Sequence, residues 1–331
     1  MKHALLEIDG LSVDLLGRQR GDGLRRVIHD VSLTVASGES VGLVGESGSG
    51  KSMTTKAVMG LLPRGARANG ALRYHGQDIS GYNRKELSAY RAKQIAMIYQ
   101  DPRAHTNPLV KIGDFLIEGV VAAKLMSRAD ARERAHDLLQ SVGITDAGRR
   151  MVQYPHELSG GLLQRVMIVM ALMSSPSLIL ADEPTTALDV TVQSEVVAIL
   201  AEQIRDRSLG MLFITHDLDL AAAISDSLAV MYAGAIVENG SVKAIYDSPR
   251  HPYTAGLLAS RPSLHEVKRL QAIPGRPLSA FEVAGGCAFA SRCPLASQRC
   301  LDERPVMREV DGREVACHHP QNVELPTRRP A

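Results

Sequence analysis

Gly45-Glu46-Ser47-Gly48-Ser49-Gly50-Lys51-Ser52 decides how this chain folds. The eight residues fit G-x-x-x-x-G-K-[ST], a phosphate-binding loop, and their flanks supply the context the motif needs. Upstream, residues 41–44 are short and mostly apolar, as a buried strand ending at Gly45 should be. Downstream, residues 53–62 read as a helix that Pro63 cannot extend. Glycines let consecutive backbone N–H groups turn inward around phosphate oxygens, and the helix that follows aims its positive end at the same anion. Lys51 is then expected to reach the β- and γ-phosphates of a nucleoside triphosphate. The Ser52 hydroxyl is expected to ligate Mg²⁺, a cation that prefers oxygen donors.

A second strand, within Ser177-Leu178-Ile179-Leu180-Ala181-Asp182-Glu183-Pro184, delivers two carboxylates to a strand end, which is where α/β sheets bind ligands. Read alone, this is a solvated Asp-Glu turn. Beside a P-loop, Asp182 is placed to hold Mg²⁺ and Glu183 to polarise a water for attack on the γ-phosphate. A third strand over residues 211–215 ends at His216, read as a γ-phosphate contact rather than a structural histidine. Between these lies Leu158-Ser159-Gly160-Gly161-Leu162-Leu163-Gln164-Arg165, where Ser159 can cap the apolar helix of residues 166–173. The two glycines leave bare N–H groups at its start, a further anion site.

Taken together and in this order, GESGSGKS, LSGGLLQR, LILADEPTTALD and ITHD resemble the nucleotide-binding subunit of an ABC transporter over about residues 5 to 250. The resemblance implies an α/β fold of the P-loop NTPase class, with an antiparallel β subdomain, a helical subdomain and here a Cys-rich C-terminal extension. It implies ATP and Mg²⁺ as ligands, with Gly45, Glu46, Ser47, Gly48, Ser49, Gly50, Lys51 and Ser52 on the triphosphate and Ser52, Gln100 and Asp182 on the metal. Glu183 matches the general base, His216 the switch histidine, and Gln100, ahead of Asp101-Pro102, the Q-loop glutamine. Leu158 to Gly161 matches the signature and Ala187-Leu188-Asp189 the D-loop, so that Ser159, Gly160, Gly161 and Asp189 would serve ATP held by a second subunit. ATP-driven dimer closure, reversed by hydrolysis, would then move membrane helices supplied by other chains.

One departure stands out. The family usually stacks adenine on an aromatic ring ahead of the second strand, yet residues 15–31 hold no Phe, Tyr or Trp, leaving either Arg25 or Arg26 to stack or an adenine that is loosely held. No catalytic position is missing, which points to a hydrolysing subunit rather than a regulatory one. Gln100-Asp101-Pro102, Asn107-Pro108 with Ile112-Gly113-Asp114, and Ser248-Pro249-Arg250-His251-Pro252-Tyr253-Thr254 are similar to the ATP-binding subunits of dipeptide, oligopeptide and nickel importers. That family implies a second ATP-binding subunit, expected to be a paralogue, two transmembrane permease subunits, and an extracytoplasmic substrate-binding protein acting indirectly. The expected location is the cytoplasmic face of the inner membrane, peripherally bound. Peptide is the family's default cargo; nickel, glutathione, opines and oligosaccharides are its alternatives. Soluble or DNA-repair ABC ATPases fit less well, because this chain has one cassette with no long coiled coil inserted.

All four cysteines, Cys287, Cys293, Cys300 and Cys317, fall in the last 45 residues. Nothing at the N-terminus reads as a signal peptide, which argues against disulfides. Free thiols, a zinc site aided by His318 and His319, or an iron–sulfur cluster remain, and the spacing lacks the C-x2-C pairs of common zinc sites. Gly286-Cys287-Ala288-Phe289-Ala290-Ser291-Arg292-Cys293-Pro294 resembles the tail of the peptide-importer family, and that resemblance implies a [4Fe–4S] cluster on the four cysteines.

With 331 residues, 45% of them hydrophobic, the chain can bury a sizeable core. No apolar run approaches the roughly 18 to 20 residues of a membrane helix, so the chain forms no pore of its own. A formal charge of +2, from 38 basic and 36 acidic residues, argues against a nucleic-acid partner. The expected organisation is a nucleotide-binding domain over residues 1–247 and an extension over 248–331, ordered only around its metal and frayed over the last few residues. Within the first, the expected elements are strands at 5–13 and 31–35, a charged loop at 17–26, a helical insertion at about 102–165 whose residues 128–142 are amphipathic, and closing strands at 227–232 and 235–238.

Overall fold

The computed structural model describes residues 3–17, 23–186, 188–261, 272–283 and 285–320. The first half of the chain forms β1 (Ala4–Leu16), β2 (Leu24–Ala36), β3 (Ser40–Val44), α1 (Lys51–Val58), β4 (Arg67–Tyr74), β5 (Gln77–Asp78), α2 (Arg84–Lys93) and β6 (Ile95–Ile98). A helical stretch follows: α3 (Ile112–Ala122), α4 (Arg128–Ser141), α5 (Ala147–Met151) and α6 (Gly160–Leu172). The chain returns through β7 (Leu178–Asp182), α7 (Val190–Arg207), β8 (Gly210–Thr215), α8 (Leu218–Ile224), β9 (Ser227–Tyr232) and β10 (Ala235–Ser241). It then adds α9 (Val242–Asp247), α10 (Pro252–Ala259), α11 (Gln298–Asp302), β11 (Arg308–Val310) and β12 (Arg313–Val315).

Two sheets organise these elements. A four-stranded antiparallel sheet runs β2-β1-β4-β5, and an eight-stranded sheet runs β11-β12-β10-β9-β3-β8-β7-β6. In the larger sheet β9, β3, β8, β7 and β6 are parallel, while β10, β12 and β11 add antiparallel strands at one edge. Every residue of β3, β7 and β8 is buried, as a parallel strand covered on both faces requires. The carboxyl ends of β3, β7 and β8 therefore lie side by side, bringing Gly45, Glu183 and His216 to one rim.

Three expectations change. The helix after the P-loop starts at Lys51 rather than Met53 and stops at Val58, because Gly60 turns left-handed (φ 62°). Its N–H bonds to Ala57 O and that of Leu61 to Lys56 O, which closes a Schellman motif well before Pro63. Of the charged loop expected at 17–26, residues 18–22 fall outside the described residues, and residues 24–26 are strand. Arg25 and Arg26 already lie in β2, at the sheet edge, where charged side chains can stay solvated. Arg26 Nε donates to Asp14 Oδ1 at 2.9 Å, which ties Arg26 to its own hairpin.

The third change is the larger one. The described residues after 247 are held by more than their cysteines: β12 pairs with β10, with Glu238 opposite Val315, and so extends the main sheet. Tyr253 and Phe289 are buried against Tyr232, with ring centroids 4.6 to 5.4 Å apart. Burial of two aromatic side chains is worth several kcal/mol, to which their mutual contacts add about 1 kcal/mol. Glu238, fully buried, accepts the backbone N–H groups of Arg250 (2.8 Å) and His251 (3.0 Å) and lies 3.6 Å from Arg313 Nη1. Burial still pushes its carboxyl upward against those partners. The expected fraying of the last residues falls outside the described residues.

His251 caps α10: its Nδ1 accepts the Tyr253 N–H at 3.0 Å, and Pro252 takes the first helical position. Burial alone pushes its imidazole down to about 3, from 6.5. Neutral in the fold and protonated in the unfolded chain, His251 contributes stability that is complete above pH 6.5 and lost as pH falls towards 3. His29, pushed down chiefly by burial, acts with the same sign. Urea unfolding is expected to lose up to about 1.4 kcal/mol per pH unit from His251 as pH drops below 6.5. His251→Asn, which retains a capping acceptor, should reduce that slope between pH 6.5 and 5; an unaltered slope would refute the assignment.

Candidate functional site

The P-loop turns where side chains are excluded. A Cβ at Gly45 (φ 154°) would lie 2.1 Å from Met231 O, and one at Gly50 (φ 110°) 2.7 Å from Ile28 Cδ1. The far side of the turn is pinned by Gly234, whose N–H donates to Ser49 O at 2.7 Å. Gly50 is the N-cap of α1 and no side chain caps that helix; the Met53 and Thr54 N–H groups already bond to Gly50 O at 3.0 and 3.1 Å, which leaves the Lys51 and Ser52 amides at the helix start for an anion. Lys51 is buried, and its Nζ donates to Gly45 O (2.8 Å) and Glu46 O (3.0 Å). Burial lowers its pKa, opposed by the charges of Glu183, Asp182 and Glu46.

Asp182, the last residue of β7, accepts the Ser52 hydroxyl at 2.8 Å. Its carboxyl is pushed up first by burial and also by Glu183, and drawn back by Ser52, Lys56 and Lys51. Glu183, one residue on, is left-handed (φ 48°), and its N–H donates to Ile214 O at 2.9 Å. That turn breaks the strand's alternation and gives the second carboxylate its own surroundings. Glu183 Oε2 accepts Thr186 Oγ1 at 2.8 Å and Gln100 Nε2 at 3.3 Å, and lies 3.3 Å from His216 Nδ1. The Glu183 carboxylate is mostly shielded, whereas the His216 ring is half exposed, with 14% and 55% of their side chains accessible.

The structure thus divides the expected residues into two neighbouring groups. Ser52 and Asp182 form an oxygen pair suited to Mg²⁺, while Gln100, expected with them, has its amide on Glu183. Thr186 was not singled out from the sequence, and only its place three residues after Glu183 could have marked it.

The signature segment stands apart. Ser159 caps α6, its Oγ accepting the Leu162 N–H at 3.4 Å. Gly161 packs on α7, where a Cβ would meet Val192 Cγ1 at 2.7 Å. Asp189 caps α7 through the Val192 N–H at 3.0 Å. Among the described residues, no hydrogen bond joins Ser159, Gly160, Gly161 or Asp189 to residues 45–52 or to Glu183. Ala187 lies outside the described residues.

The four cysteines are all free thiols, and each is at least partly buried. Burial pushes Cys293 and Cys317 up to about 11, and Cys287 upward as well. They are near enough for charge on one to disfavour ionisation of another: Cys293 is raised by Cys317, Cys287 and Cys300. Cys317 Sγ accepts the His319 N–H at 3.3 Å, while His319 Nε2 is held by Ser297 Oγ at 2.9 Å and His318 Nε2 by Glu303 O at 2.9 Å. Among the described residues, no group of three or more His, Cys, Asp or Glu is gathered to hold a metal ion. The expected [4Fe–4S] centre and its zinc alternative are therefore not displayed as an assembled ligand set.

Comparison with known proteins follows the same division of the chain. Residues 28–186 match the ABC transporter family model, and residues 237–300 the oligopeptide/dipeptide transporter C-terminal region. The chain is 42% identical to the oligopeptide transport ATP-binding protein OppD of Salmonella typhimurium, over 96% of this chain and 94% of that protein. It is also 42% identical to the dipeptide transport ATP-binding protein DppD of Escherichia coli, over 96% of this chain and 97% of that one. An ATP-binding cassette solved as a dimer in a post-hydrolysis state bound to ADP and Pi superimposes with a TM-score of 0.63, at 23% identity, covering 72% of this chain and 98% of that one. Among the described residues, no helix is long and apolar enough to cross a membrane.

Thr186 supports the Glu183 carboxylate, so Thr186→Val is expected to lower ATP turnover about tenfold with little change in ATP affinity, as loss of one hydrogen bond to a charged group would. Turnover and equilibrium ATP binding, measured on the same preparation, check this.

Proposed function

The chain belongs to the family of ABC transporter ATPases, and we propose that it is the ATP-hydrolysing subunit that energises import of peptides through a separate membrane permease. The observation that carries the chemistry is the gathering of Gln100, Thr186 and His216 on the Glu183 carboxylate, next to the Ser52–Asp182 pair. Peptide as cargo is supported by the names of the OppD and DppD relatives and by the matched C-terminal region. Cargo selection then belongs to the permease and to an extracytoplasmic binding protein. The subunit would sit peripherally on the cytoplasmic face of the membrane.

In this reading the amides of the P-loop and the Lys51 ammonium bind the β- and γ-phosphates. Ser52 and Asp182 would hold Mg²⁺, which neutralises charge on the phosphate oxygens when bound. Glu183 takes a proton from the attacking water, and Gln100, Thr186 and His216 hold its carboxylate in place. Ser159, Gly160, Gly161 and Asp189 serve the ATP of a second ATP-binding subunit, expected to be a paralogue. Their lack of hydrogen bonds to this chain's own P-loop supports that role.

A [4Fe–4S] centre on Cys287, Cys293, Cys300 and Cys317 belongs to the same proposal. Its support is the likeness of residues 286–294 to the tail of the peptide-importer family and the match of residues 237–300 to that family's C-terminal region, with four free thiols in the extension, one of which, Cys317, accepts the His319 N–H at 3.3 Å. Its role would be to staple the extension.

Two experiments test these assignments. In the assembled transporter, Glu183→Gln is expected to cut ATP turnover by roughly 10² to 10⁴ while ATP stays bound, since a general base supplies about that factor. Lys51→Ala should instead weaken ATP binding by about tenfold or more, as loss of a charged hydrogen-bond donor implies. Wild-type turnover by both variants would defeat the site. For the extension, protein purified without oxygen should contain about four irons and four sulfides per chain, and Cys293→Ser should lose them. Absence of both iron and sulfide from the unaltered protein would remove the cluster.

A further inference from the structure

We propose that the C-terminal extension is a working part of the nucleotide site, with Arg292 and Tyr253 acting on Glu46 as positioning residues for the P-loop. This deepens the ATP reading above and rests on it. Glu46 is the second residue of the loop, and the two residues that grip it lie 207 and 246 positions further along the chain. The Arg292 guanidinium meets the Glu46 carboxylate with both arms: Nη1 donates to Oε2 at 2.7 Å and Nη2 to Oε1 at 3.1 Å. The Tyr253 hydroxyl accepts the Glu46 backbone N–H at 2.9 Å. On the loop's own side, Glu46 O accepts Lys51 Nζ at 3.0 Å and the Ser49 N–H at 3.2 Å. The carboxylate, amide and carbonyl of a single residue are thus all committed, two of them to the extension.

The clamp is built to hold still. Only 4% of the Arg292 side chain is accessible; its Nε donates to Pro274 O at 2.9 Å, and its Nη1 also reaches Tyr232 OH at 3.4 Å. Tyr253 is wholly buried between Tyr232 and Phe289. A bidentate, charge-assisted pair fixes direction as well as distance, and shielding from water strengthens it. Its target is a loop that binds phosphate only when successive amides point inward, so ordering the loop beforehand removes a cost from nucleotide binding. Because Glu46 O also holds Lys51, a loop released at Glu46 misplaces the lysine that meets the phosphates. Arg292 directly precedes Cys293, so the thiol segment and the P-loop share one short stretch of chain.

A residue that merely docks the extension would change melting temperature without selectively changing nucleotide affinity. The test is equilibrium binding of MgATP to the full-length chain, with turnover at saturating MgATP measured in the assembled transporter. Arg292→Ala is expected to weaken MgATP binding about tenfold while saturated turnover changes about twofold or less, because the interaction serves binding rather than the chemical step. Arg292→Lys should recover part of the affinity, and in a Glu46→Ala background Arg292→Ala should have no further effect. Arg276→Ala removes a different ion pair within the extension, with Glu282, and should leave affinity unchanged. Unaltered MgATP affinity in Arg292→Ala, or an undiminished effect in the Glu46→Ala background, would overturn the proposal. Should Arg292→Ala not fold, Glu46→Gln tests the same contact from the loop side, and wild-type affinity there would overturn it equally. Failure of the unaltered chain to bind MgATP would instead strike at the ATP reading.

Discussion

Everything at the nucleotide rim depends on how closely the loop after β3 approaches the main chain of its neighbour β9. With only 2.1 Å between the Met231 carbonyl and the place a Cβ would occupy on Gly45, the loop leaves the sheet along a path no other residue can follow. From there Gly50, at φ 110°, starts α1 with no side-chain cap, and the Gly234 N–H holds Ser49 O. The path by which the loop leaves the sheet is thus set by the parallel strands, a fully buried element.

Electrostatics then separates the tasks of two adjacent acids. Asp182 ends a buried strand and is bound to Ser52, whereas the left-handed turn at Glu183 carries the next carboxylate towards Gln100, Thr186 and His216. Such a backbone conformation costs roughly 1 to 3 kcal/mol in a residue with a side chain, and the bond from its N–H to Ile214 O helps maintain it. Lys51 is buried with the charges of Glu183, Asp182 and Glu46 around it, while the Glu46 carboxylate has its own cation in Arg292.

Most of this rim was legible in the sequence because it is local. The P-loop, the Asp182-Glu183 pair and His216 each end a short apolar strand, and parallel strands bring such ends together without further information. What stayed hidden depends on contacts distant in sequence. No pattern announces that Arg292 pairs with Glu46, that β12 adds to β10, or that Gln100 turns its amide to Glu183. Arg25 and Arg26 misled because charge and glycine read as a loop, whereas an edge strand tolerates both charges. The early stop of α1 was missed because Pro63 looked like the terminator, and Gly60 acts first.

The extension is thus continuous with the catalytic architecture, joined to it by a strand, an aromatic cluster and the Arg292–Glu46 pair. The most direct test of the account is to locate MgATP in the Glu183→Gln protein assembled with its partner subunit. The account places the γ-phosphate on Lys51 and the loop amides, the metal on Ser52 and Asp182, and residue 183 facing that phosphate, with the signature of the opposing subunit closing the other side. A nucleotide held away from residues 45–52, or a metal not ligated by Asp182, would contradict it.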